Sequence, residues 1–330
     1  MQRLPAEKRR SRLMKVSATT NPNYGKSLNE RTIEDLLMES VVFLDKPAGP
    51  TCHQIDAWVK NIVHNDKVGH AGTLDPGVTG ILPLGIGKAT RALPVMTKAG
   101  KEYVAVMKLH KDVEEKKVYK ALRSFEGEIM QLPPVRSAVK RVRRKRTVYY
   151  MDSLEMMQRK VLFRVGCEAG TYIRTLCVDV GKKLGAGAHL EELRRTKVGT
   201  ISEDDLVSLH DLKDAMVFWK EEKDDTELLK ILRPWEVLLH PLPSIIIRDS
   251  AVDAICHGAD LAIPGVVEID TDIKKGDMVA IRTLKGEGVA IGSAICSTEQ
   301  MIQKDEGIAV NVERVFMAKG TYPSIWKKHK

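Results

Sequence analysis

The sequence predicts an α+β fold, with one larger domain that mixes helices and strands and one smaller domain made mostly of strands. Its 330 residues, 43% of them hydrophobic, suit about two domains with a sizeable core. Helical and strand-like periodicities alternate as far as Leu238-Leu-His-Pro241. Beyond that point, short β-rich runs are broken by glycine and proline. We therefore expect an N-terminal extension over 1–40, a larger domain over 41–240 and a small domain over 241–330.

The N-terminal extension is basic and polar, and only Thr32–Met38 has the amphipathic pattern of a short helix. Its first ten residues are charged and contain no apolar run, so we expect no secretory signal. No stretch of the sequence approaches the roughly 18 apolar residues that a membrane span needs. These observations predict a soluble, cytoplasmic protein.

The larger domain begins with a strand and a helix. Val41–Leu44 is a short apolar run typical of a buried strand, and Thr51-Cys-His-Gln54 has the spacing of a capping box at the start of a helix. Lys46 and Pro47 fall at the junction, where the residues alone would fit a solvated lysine and a turn. The helix is expected to direct four apolar side chains to the core: Ile55, Trp58, Val59 and Ile62.

Four more elements follow in the larger domain. Tyr103–Leu109 is strand-like, and Val113–Phe125 has the pattern of a helix. Val161–Cys167 alternates between more and less apolar residues, which predicts a strand. A helix over residues 173–184 should follow, ended by Gly185. Tyr172 and Arg174 therefore lie at a strand-to-helix junction, where side chains can project into a cleft.

Four short runs predict the strands of a small C-terminal β-barrel. Each is rich in β-branched or small apolar residues and is bounded by glycine, proline or charged residues. The runs are Ile245–Ile247, Met278–Arg282, Gly288–Ile295 and Ile308–Val315.

The charge balance favours a polyanionic partner. Lysine and arginine number 53 against 44 acidic residues, which gives a net charge of +9 and a pI near 9.2. A charge run is usually a solvated face, but six basic residues in seven repel one another unless a polyanion neutralises them. We therefore expect RNA contacts from the densest run, which consists of Lys140, Arg141, Arg143, Arg144, Lys145 and Arg146 around Val142.

Two other kinds of site are excluded by spacing. The five cysteines form no C-x-x-C pair and have no histidine at ligand spacing, so neither a zinc site nor a disulfide framework is indicated and buried, reduced thiols are expected. Gly85-Ile-Gly-Lys88 suggests a phosphate-binding loop, but position 82 is leucine and Ala89 stands where serine or threonine should follow the lysine. We therefore expect no nucleoside triphosphatase.

A glycine-rich loop, residues 69–83, carries one carboxylate, Asp75. Gly69, Gly72, Gly77 and Gly80 allow backbone conformations and close approaches that side chains would block, and Pro76 restricts Asp75 to extended geometry. Such a loop can hold an acid at the floor of a cleft. On residue types alone, Asp75-Pro-Gly77 would equally fit a surface turn.

The loop resembles the catalytic motif of the TruB-type pseudouridine synthases, a G-H-x-G-T-L-D-P segment whose aspartate attacks the target uridine. Other segments match this family in the same order, and the resemblance covers roughly residues 30–325. These segments are Asp45-Lys-Pro-Ala-Gly49, Lys101-Glu-Tyr103, Gly170-Thr-Tyr-Ile-Arg-Thr-Leu176, His189-Leu-Glu-Glu-Leu-Arg-Arg-Thr196 and, similar to a PUA signature, Cys256-His-Gly-Ala-Asp-Leu-Ala-Ile-Pro-Gly265.

The resemblance implies a catalytic domain with a mixed, mainly antiparallel sheet and flanking helices, followed by an RNA-binding PUA domain that the N-terminal extension packs against. It assigns the nucleophile's role to Asp75 and implies neither a cofactor nor a metal. The other residues that it places at the uridine pocket are Tyr103 (stacking on the base), Arg174 (paired with the catalytic carboxylate), Tyr172 (near the acid), Leu190 (an apolar contact), His70 (inserted into the RNA stack), Lys46 and Pro47. In the PUA domain it implies RNA contacts at Gly258 and Pro264.

Within this family, the chain is most similar to the archaeal homologues of dyskerin. That similarity implies a catalytic subunit of box H/ACA guide ribonucleoproteins, acting on rRNA, with a guide RNA and small protein subunits as partners rather than DNA or a membrane. The alternatives are a guide-free synthase for the T-loop of tRNA and a catalytically inactive RNA-binding scaffold.

Overall fold

The computed structural model describes residues 3–134 and 140–324, which form two compact units. The first unit contains Val42–Gly85, Leu93–Ile231 and the residues up to Lys8. The second contains Arg9–Val41, Ile86–Ala92 and the residues from Leu232 onward. The helices are α1 (Ile33–Met38), α2 (Cys52–Val63), α3 (Leu93–Lys98), α4 (Glu115–Arg123), α5 (Ile173–Lys183), α6 (Leu209–Glu221), α7 (Thr226–Ile231), α8 (Asp249–Cys256) and α9 (Thr298–Gln303).

The strands alternate with these helices in the first unit and dominate the second, as an α+β fold requires. In chain order they are β1 (Arg12–Met14), β2 (Glu39–Lys46), β3 (Val68–His70), β4 (Thr79–Gly87), β5 (Lys101–Leu109), β6 (Gly127–Gln131), β7 (Arg144–Met157), β8 (Lys160–Cys167), β9 (Ala188–Val198), β10 (Arg233–Pro234), β11 (Ser244–Ile247), β12 (Leu261–Ala262), β13 (Val266–Asp270), β14 (Met278–Thr283), β15 (Gly288–Ala294) and β16 (Ile308–Val315).

The sheet of the first unit runs in the order β2-β4-β9-β5-β8-β7-β6, with β3 paired to β4. Antiparallel pairs join β9, β5, β8, β7 and β6, whereas β4 and β9 are parallel. The sheet is therefore mixed and mainly antiparallel, as predicted. Its register places Tyr103 opposite Val165 on one side and Arg195 on the other, and pairs Arg195 with Gly80. Three strands thus meet at Arg195.

The core of the first unit contains the predicted strand and helix faces. Val161, Phe163, Val165 and Cys167 are buried against the inner face of α5. The helix predicted over 113–125 is shorter, because α4 begins at Glu115 and ends at Arg123. The prediction for Trp58 is wrong, since its side chain is 45% exposed. The buried face of α2 is a narrower stripe that Trp58 lies beside, formed by Cys52, Ile55, Asp56, Val59 and Val63.

The second unit contains a seven-stranded curled sheet among its described residues, in the order β1-β13-β11-β14-β15-β16-β12. The four predicted C-terminal strands are β11, β14, β15 and β16, and an apolar core lies beneath them. The extension contributes β1, whose Arg12 binds Asp270 with a nitrogen-to-oxygen distance of 3.0 Å. Arg31 forms a buried, two-pronged pair with Glu236 at 2.9 and 2.5 Å. The α+β prediction with a small C-terminal β domain is confirmed.

Two further sequence predictions can be compared with the structure directly. All five cysteines are buried and unpaired, as expected of structural thiols. Within residues 3–134 and 140–324, the structure contains no helix that is long and apolar enough to cross a membrane.

Candidate active site

A buried lysine, Lys46, forms hydrogen bonds to the backbone of the loop that carries Asp75. Lys46, at the end of β2, is fully buried and donates hydrogen bonds to the carbonyls of Pro47, Pro76 and Val78 at 2.9, 2.9 and 3.0 Å. Burial lowers the pKa of its ammonium group. Lys46 therefore fixes the backbone on both sides of Gly77 and is not the solvated residue that its position alone would suggest.

A buried arginine holds the two ends of the same loop. Arg195, on β9, is 1% exposed and donates from Nε to the carbonyl of Ile81 and from a terminal nitrogen to that of Gly72, both at 2.8 Å. Gly80 has a φ of +100°, and a Cβ there would lie 2.2 Å from the carbonyl oxygen of Arg195. Only glycine fits this contact, which explains one of the four glycines in the loop.

Asp75 projects from this fixed backbone and forms an ion pair with Arg174. A terminal guanidinium nitrogen of Arg174 lies 2.9 Å from Oδ2 of Asp75, and the two side chains are 39% and 52% exposed. We call these two residues the rim pair. The carboxylate is held by one cation yet stays open to a ligand from solvent.

A cavity of about 370 Å³ lies beside Asp75. Four residues that the sequence placed at the site line it together: Asp75, Tyr103, Tyr172 and Arg174. Burial raises the pKa of Tyr103 above its ordinary value, so its hydroxyl stays neutral over the physiological range. The cavity thus brings one carboxylate, two phenol rings and one guanidinium to one place.

Three residues that the sequence analysis did not single out also line this cavity: Lys101, Leu193 and Arg195. Burial lowers the pKa of Lys101 to about 7, and its nitrogen donates to the carbonyls of Met96, Thr97 and Ala99 at 3.1, 2.6 and 2.7 Å. We call Lys46, Lys101 and Arg195 the inner cations. Each of them donates hydrogen bonds from its side chain to backbone carbonyls, and so brings a buried positive charge to the Asp75 loop or to the cavity.

A buried amide fixes the backbone of Tyr172. Gln131, at the end of β6 and 2% exposed, accepts a hydrogen bond from the backbone N–H of Tyr172 at 2.9 Å and donates one to its carbonyl at 3.2 Å. Tyr172 is the residue immediately before α5, and Arg174 follows it in the first turn. Gln131 therefore positions the start of the helix that carries one partner of the rim pair.

The basic run lies along two neighbouring cavities. Arg141 and Arg143 line one of about 740 Å³ that shares Arg174 with the cavity beside Asp75, and Arg144 and Arg146 line one of about 180 Å³ that shares Tyr172 with it. Lys140 to Lys145 are exposed, but two of the charges have partners within the protein. Lys145 pairs with Glu128 at 3.1 Å, and the half-buried Arg146 pairs with Glu168 at 3.6 Å.

Other residues that the sequence placed at the pocket lie outside its lining, namely Lys46, Pro47, His70 and Leu190. Leu190 is on strand β9, not in a helix, and packs against the core, whereas Leu193 reaches the cavity. Pro47 is exposed. His70 binds Asp56 through Nδ1 at 2.8 Å and Thr73 through Nε2 at 3.1 Å. In the second unit, Gly258 and Pro264 are both exposed.

Comparison with known proteins identifies the family. A model described as TruB family pseudouridylate synthase (N terminal domain) matches residues 60–173, and one for the tRNA pseudouridylate synthase B C-terminal domain matches 174–240. A PUA domain model matches 243–316, and a DKCLD (NUC011) model matches 2–56. A probable tRNA pseudouridine synthase B of Methanopyrus kandleri is 53% identical over 98% of this chain and 96% of its own length. The chain belongs to the TruB family.

A TruB-family chain is an isomerase that acts on RNA. The counterpart from Pyrococcus furiosus, also named as a probable tRNA pseudouridine synthase B, is 51% identical over 98% of this chain and 96% of its own. A solved structure described as a Cbf5-Nop10-Gar1 complex superposes with a TM-score of 0.93 at 50% identity, covering 98% of this chain and 99% of that one. A second, described as an H/ACA RNP bound to a substrate RNA containing 2'-deoxyuridine, gives 0.91 at 48% identity, covering 98% and 99%.

Proposed function

We propose that this TruB-family chain is the catalytic subunit of a box H/ACA ribonucleoprotein, which converts uridines of rRNA selected by a guide RNA to pseudouridine. One observation carries the proposal. The chain superposes over almost its whole length on a protein described in complex with Nop10 and Gar1 and, in another structure, within an H/ACA RNP bound to substrate RNA. The expected partners are a guide RNA, the target RNA and small protein subunits of that particle.

The reaction suits a site with a single carboxylate. The bond from N1 of uracil to C1′ of the ribose breaks, the base turns, and a bond from C5 to C1′ forms, while the hydrogen on C5 leaves and N1 gains one. The product is an isomer of the substrate, so no water is consumed, unlike glycoside hydrolysis with its two carboxylates. Asp75 acts as the nucleophile, at the base or at the sugar. The residues require no cofactor and no metal for this step.

The cavity residues supply what a flipped base needs. A uridine taken out of its stack loses stacking energy, which a ring in the pocket can restore. We assign that role to Tyr103, at the centre of the sheet, and place Tyr172 beside the reacting base. Arg174 pairs with Asp75 at 2.9 Å and fixes the direction of its carboxylate. Leu193 provides the apolar contact at the cavity, and Leu190, on the same strand, packs against the core.

The RNA path is proposed along the basic run and the second unit. The run lines two cavities that share residues with the catalytic cavity, and its exposed arginines can each neutralise a phosphate. Gly258 and Pro264 lie on the exposed face of a segment matched by the PUA domain model, where we place contacts to the guide RNA. His70, within the Asp75 loop, and the exposed Pro47, next to the buried Lys46, are proposed to contact the target strand.

The experiment is release of tritium from RNA labelled at C5 of uridine, because forming the new bond to C1′ expels that hydrogen. The full chain would be tested with its small protein subunits, a guide RNA and a matched target. Release should require the guide and stop when the guide is mismatched at its pairing segments. Equal release with matched and mismatched guides would contradict the proposal.

A second candidate is a guide-free synthase for the T-loop of tRNA, which is favoured by two relatives that are named as probable tRNA pseudouridine synthases. Release of tritium from tRNA by the chain alone would establish it, and both activities could reside in one pocket. Release from neither RNA, with RNA binding intact, would instead point to a scaffold.

A further inference from the structure

Two histidines and an aspartate from different elements come together beside the Asp75 loop. His53 and Asp56 lie one turn apart on α2, and His70 ends β3. One ligating atom from each lies within 4.8 Å of the others. The imidazole rings of His53 and His70 are 5.3 Å apart at an interplanar angle of 70°. The spacing of these three residues along the chain is not a familiar metal-binding motif, so the sequence alone does not indicate this cluster.

The carboxylate of Asp56 is only partly satisfied. The residue is 8% exposed, and its Oδ2 lies 2.8 Å from Nδ1 of His70 and 3.7 Å from Nδ1 of His53. Its other oxygen, Oδ1, is buried and has no hydrogen-bond partner. A carboxylate only accepts hydrogen bonds, so a buried oxygen without a donor loses the solvation that it had in water. A cation bound at the carboxylate would compensate for this loss.

The geometry and the donor types point to a transition-metal ion. We propose that His53, Asp56 and His70 bind one Zn²⁺ or a similar borderline divalent cation. Two imidazoles and one carboxylate with an open fourth position form a common zinc-binding set, whereas Mg²⁺ and Ca²⁺ prefer oxygen ligands. With metal-to-ligand bonds of about 2.1 Å, ligand atoms in a tetrahedron lie roughly 3.4 Å apart. The distances to Oδ2 lie on either side of that value, and all three ligand atoms lie within 4.8 Å of one another, so a turn of the exposed His53 side chain would bring the set to coordinating distance.

The surroundings of His70 fit metal coordination through Nδ1. Its Nε2 lies 3.1 Å from the hydroxyl oxygen of Thr73, so the tautomer that leaves Nδ1 free for the metal donates from Nε2 to that hydroxyl. His53 is the adaptable ligand, because its side chain is 88% exposed and can turn towards the ion. A bound ion would fix the orientation of the His70 ring, five residues before Asp75.

Metal binding to the chelator-treated full chain tests this inference independently of RNA chemistry. Zn²⁺ titrated by calorimetry should bind with one equivalent per chain, and Co²⁺ should give the intense visible absorption of a four-coordinate site. His53→Ala and Asp56→Asn should each weaken the affinity for Zn²⁺ by at least about tenfold, since loss of even an outer-sphere partner typically costs that much. Because His53 is exposed, its substitution should leave the thermal unfolding midpoint unchanged.

The matched controls remove other histidines of the chain. His110 forms a close pair with His189, 2.9 Å between Nε2 and Nδ1, and is a competing two-histidine site. His210, on α6, is exposed. His110→Ala and His210→Ala should bind Zn²⁺ as the unaltered chain does. The inference is overturned if the unaltered chain binds no Zn²⁺, if His53→Ala binds it equally well, or if binding is lost with His110→Ala instead.

Discussion

Arg174 and Arg195 line one cavity yet make different contacts. Arg174 bonds one carboxylate and leaves 39% of its side chain exposed, whereas Arg195 is 1% exposed and bonds the carbonyls of Gly72 and Ile81. An exposed ion pair contributes little to stability, while a buried cation that satisfies carbonyls is costly to remove. The rim pair is therefore available for chemistry, and the inner cations hold the backbone that aims it.

The largest effect, on turnover, should come from removing the negative charge of Asp75. Asp75→Asn is nearly isosteric, so RNA affinity and thermal stability should stay close to those of the unaltered chain. Turnover measured by tritium release should fall by more than about 10³-fold, because removal of a nucleophile abolishes the covalent step. Asp112→Asn, which alters another arginine-paired and exposed aspartate, should be neutral. Undiminished turnover in Asp75→Asn would remove Asp75 from its role.

Removing one of the inner cations should mainly reduce the stability of the fold. Arg195→Met leaves two loop carbonyls without donors, and the free energy of unfolding in urea should fall by about 2 to 4 kcal/mol. Arg174→Met, the matched change at the rim, should cost less than about 1 kcal/mol. Equal losses in the two variants would contradict the distinction between the rim pair and the inner cations.

The exposed arginines of the basic run form a third group of cations, distinct from the rim pair and the inner cations. Replacing Arg141, Arg143 and Arg144 with glutamine should weaken RNA binding and reduce the slope of log affinity against log salt concentration by roughly 2 to 3, because each phosphate contact releases counterions. Lys145→Gln, which removes a charge already paired with Glu128, should change the slope less. Binding measured at several salt concentrations checks both, and an unchanged slope in the triple variant would count against RNA contact.

Gln131 is buried and fixes the backbone of Tyr172, two residues before Arg174 of the rim pair. Replacing it should therefore reduce turnover, but by less than replacing Asp75. Gln131→Glu keeps the acceptor for the Tyr172 N–H but loses the donor to the Tyr172 carbonyl. We expect kcat to fall by about tenfold, or about 1.4 kcal/mol, with KM little changed, because Arg174 is displaced from Asp75. Glu128→Gln, an exposed change on the same strand, is the control. A fall confined to KM would instead place Gln131 in RNA binding.

The last effect concerns pH and is spread over several pH units. Burial gives Lys101 a folded-state pKa of about 7, below its ordinary value near 10.5, so the unfolded chain binds more protons between these values. The free energy of unfolding should therefore rise with pH from about 7 towards 10, with a contribution of at most about 1.4 kcal/mol per pH unit. Lys101→Met should flatten this rise relative to Lys98→Met, an exposed control. Parallel profiles would mean that Lys101 is not the source.

The sequence predicted several of the helices and strands and four of the residues that line the cavity, because these depend on local pattern or on a motif. Tyr103, Tyr172 and Arg174 could be placed from the segments that resemble the TruB family, and the structure brings them beside Asp75. Lys101 and Arg195 lie in two of the same segments, at Lys101-Glu-Tyr103 and before Thr196, but nothing local shows that their charges are buried. Burial of a cation is decided by strands that are distant in sequence.

Other features had no signal in the sequence. Trp58 fits the apolar spacing of α2, yet the sheet covers only the narrower stripe beside it. Gln131 forms hydrogen bonds to the backbone of Tyr172, which lies 41 residues further along the chain, and no spacing rule connects the two residues. Leu190 and Leu193 are equally apolar, so which one faces the cavity depends on the register of β9 against β5.

The bonds from Arg195 to the Asp75 loop also bear on when activity can appear during synthesis. Nε of Arg195 and the carbonyl of Ile81 are 114 positions apart, so this contact can close only after the whole intervening chain has been synthesised. A nascent chain that has emerged only as far as the Asp75 loop lacks β9 and cannot fix the loop in this way. Competence for catalysis should therefore arise late, after residue 195 has left the ribosome.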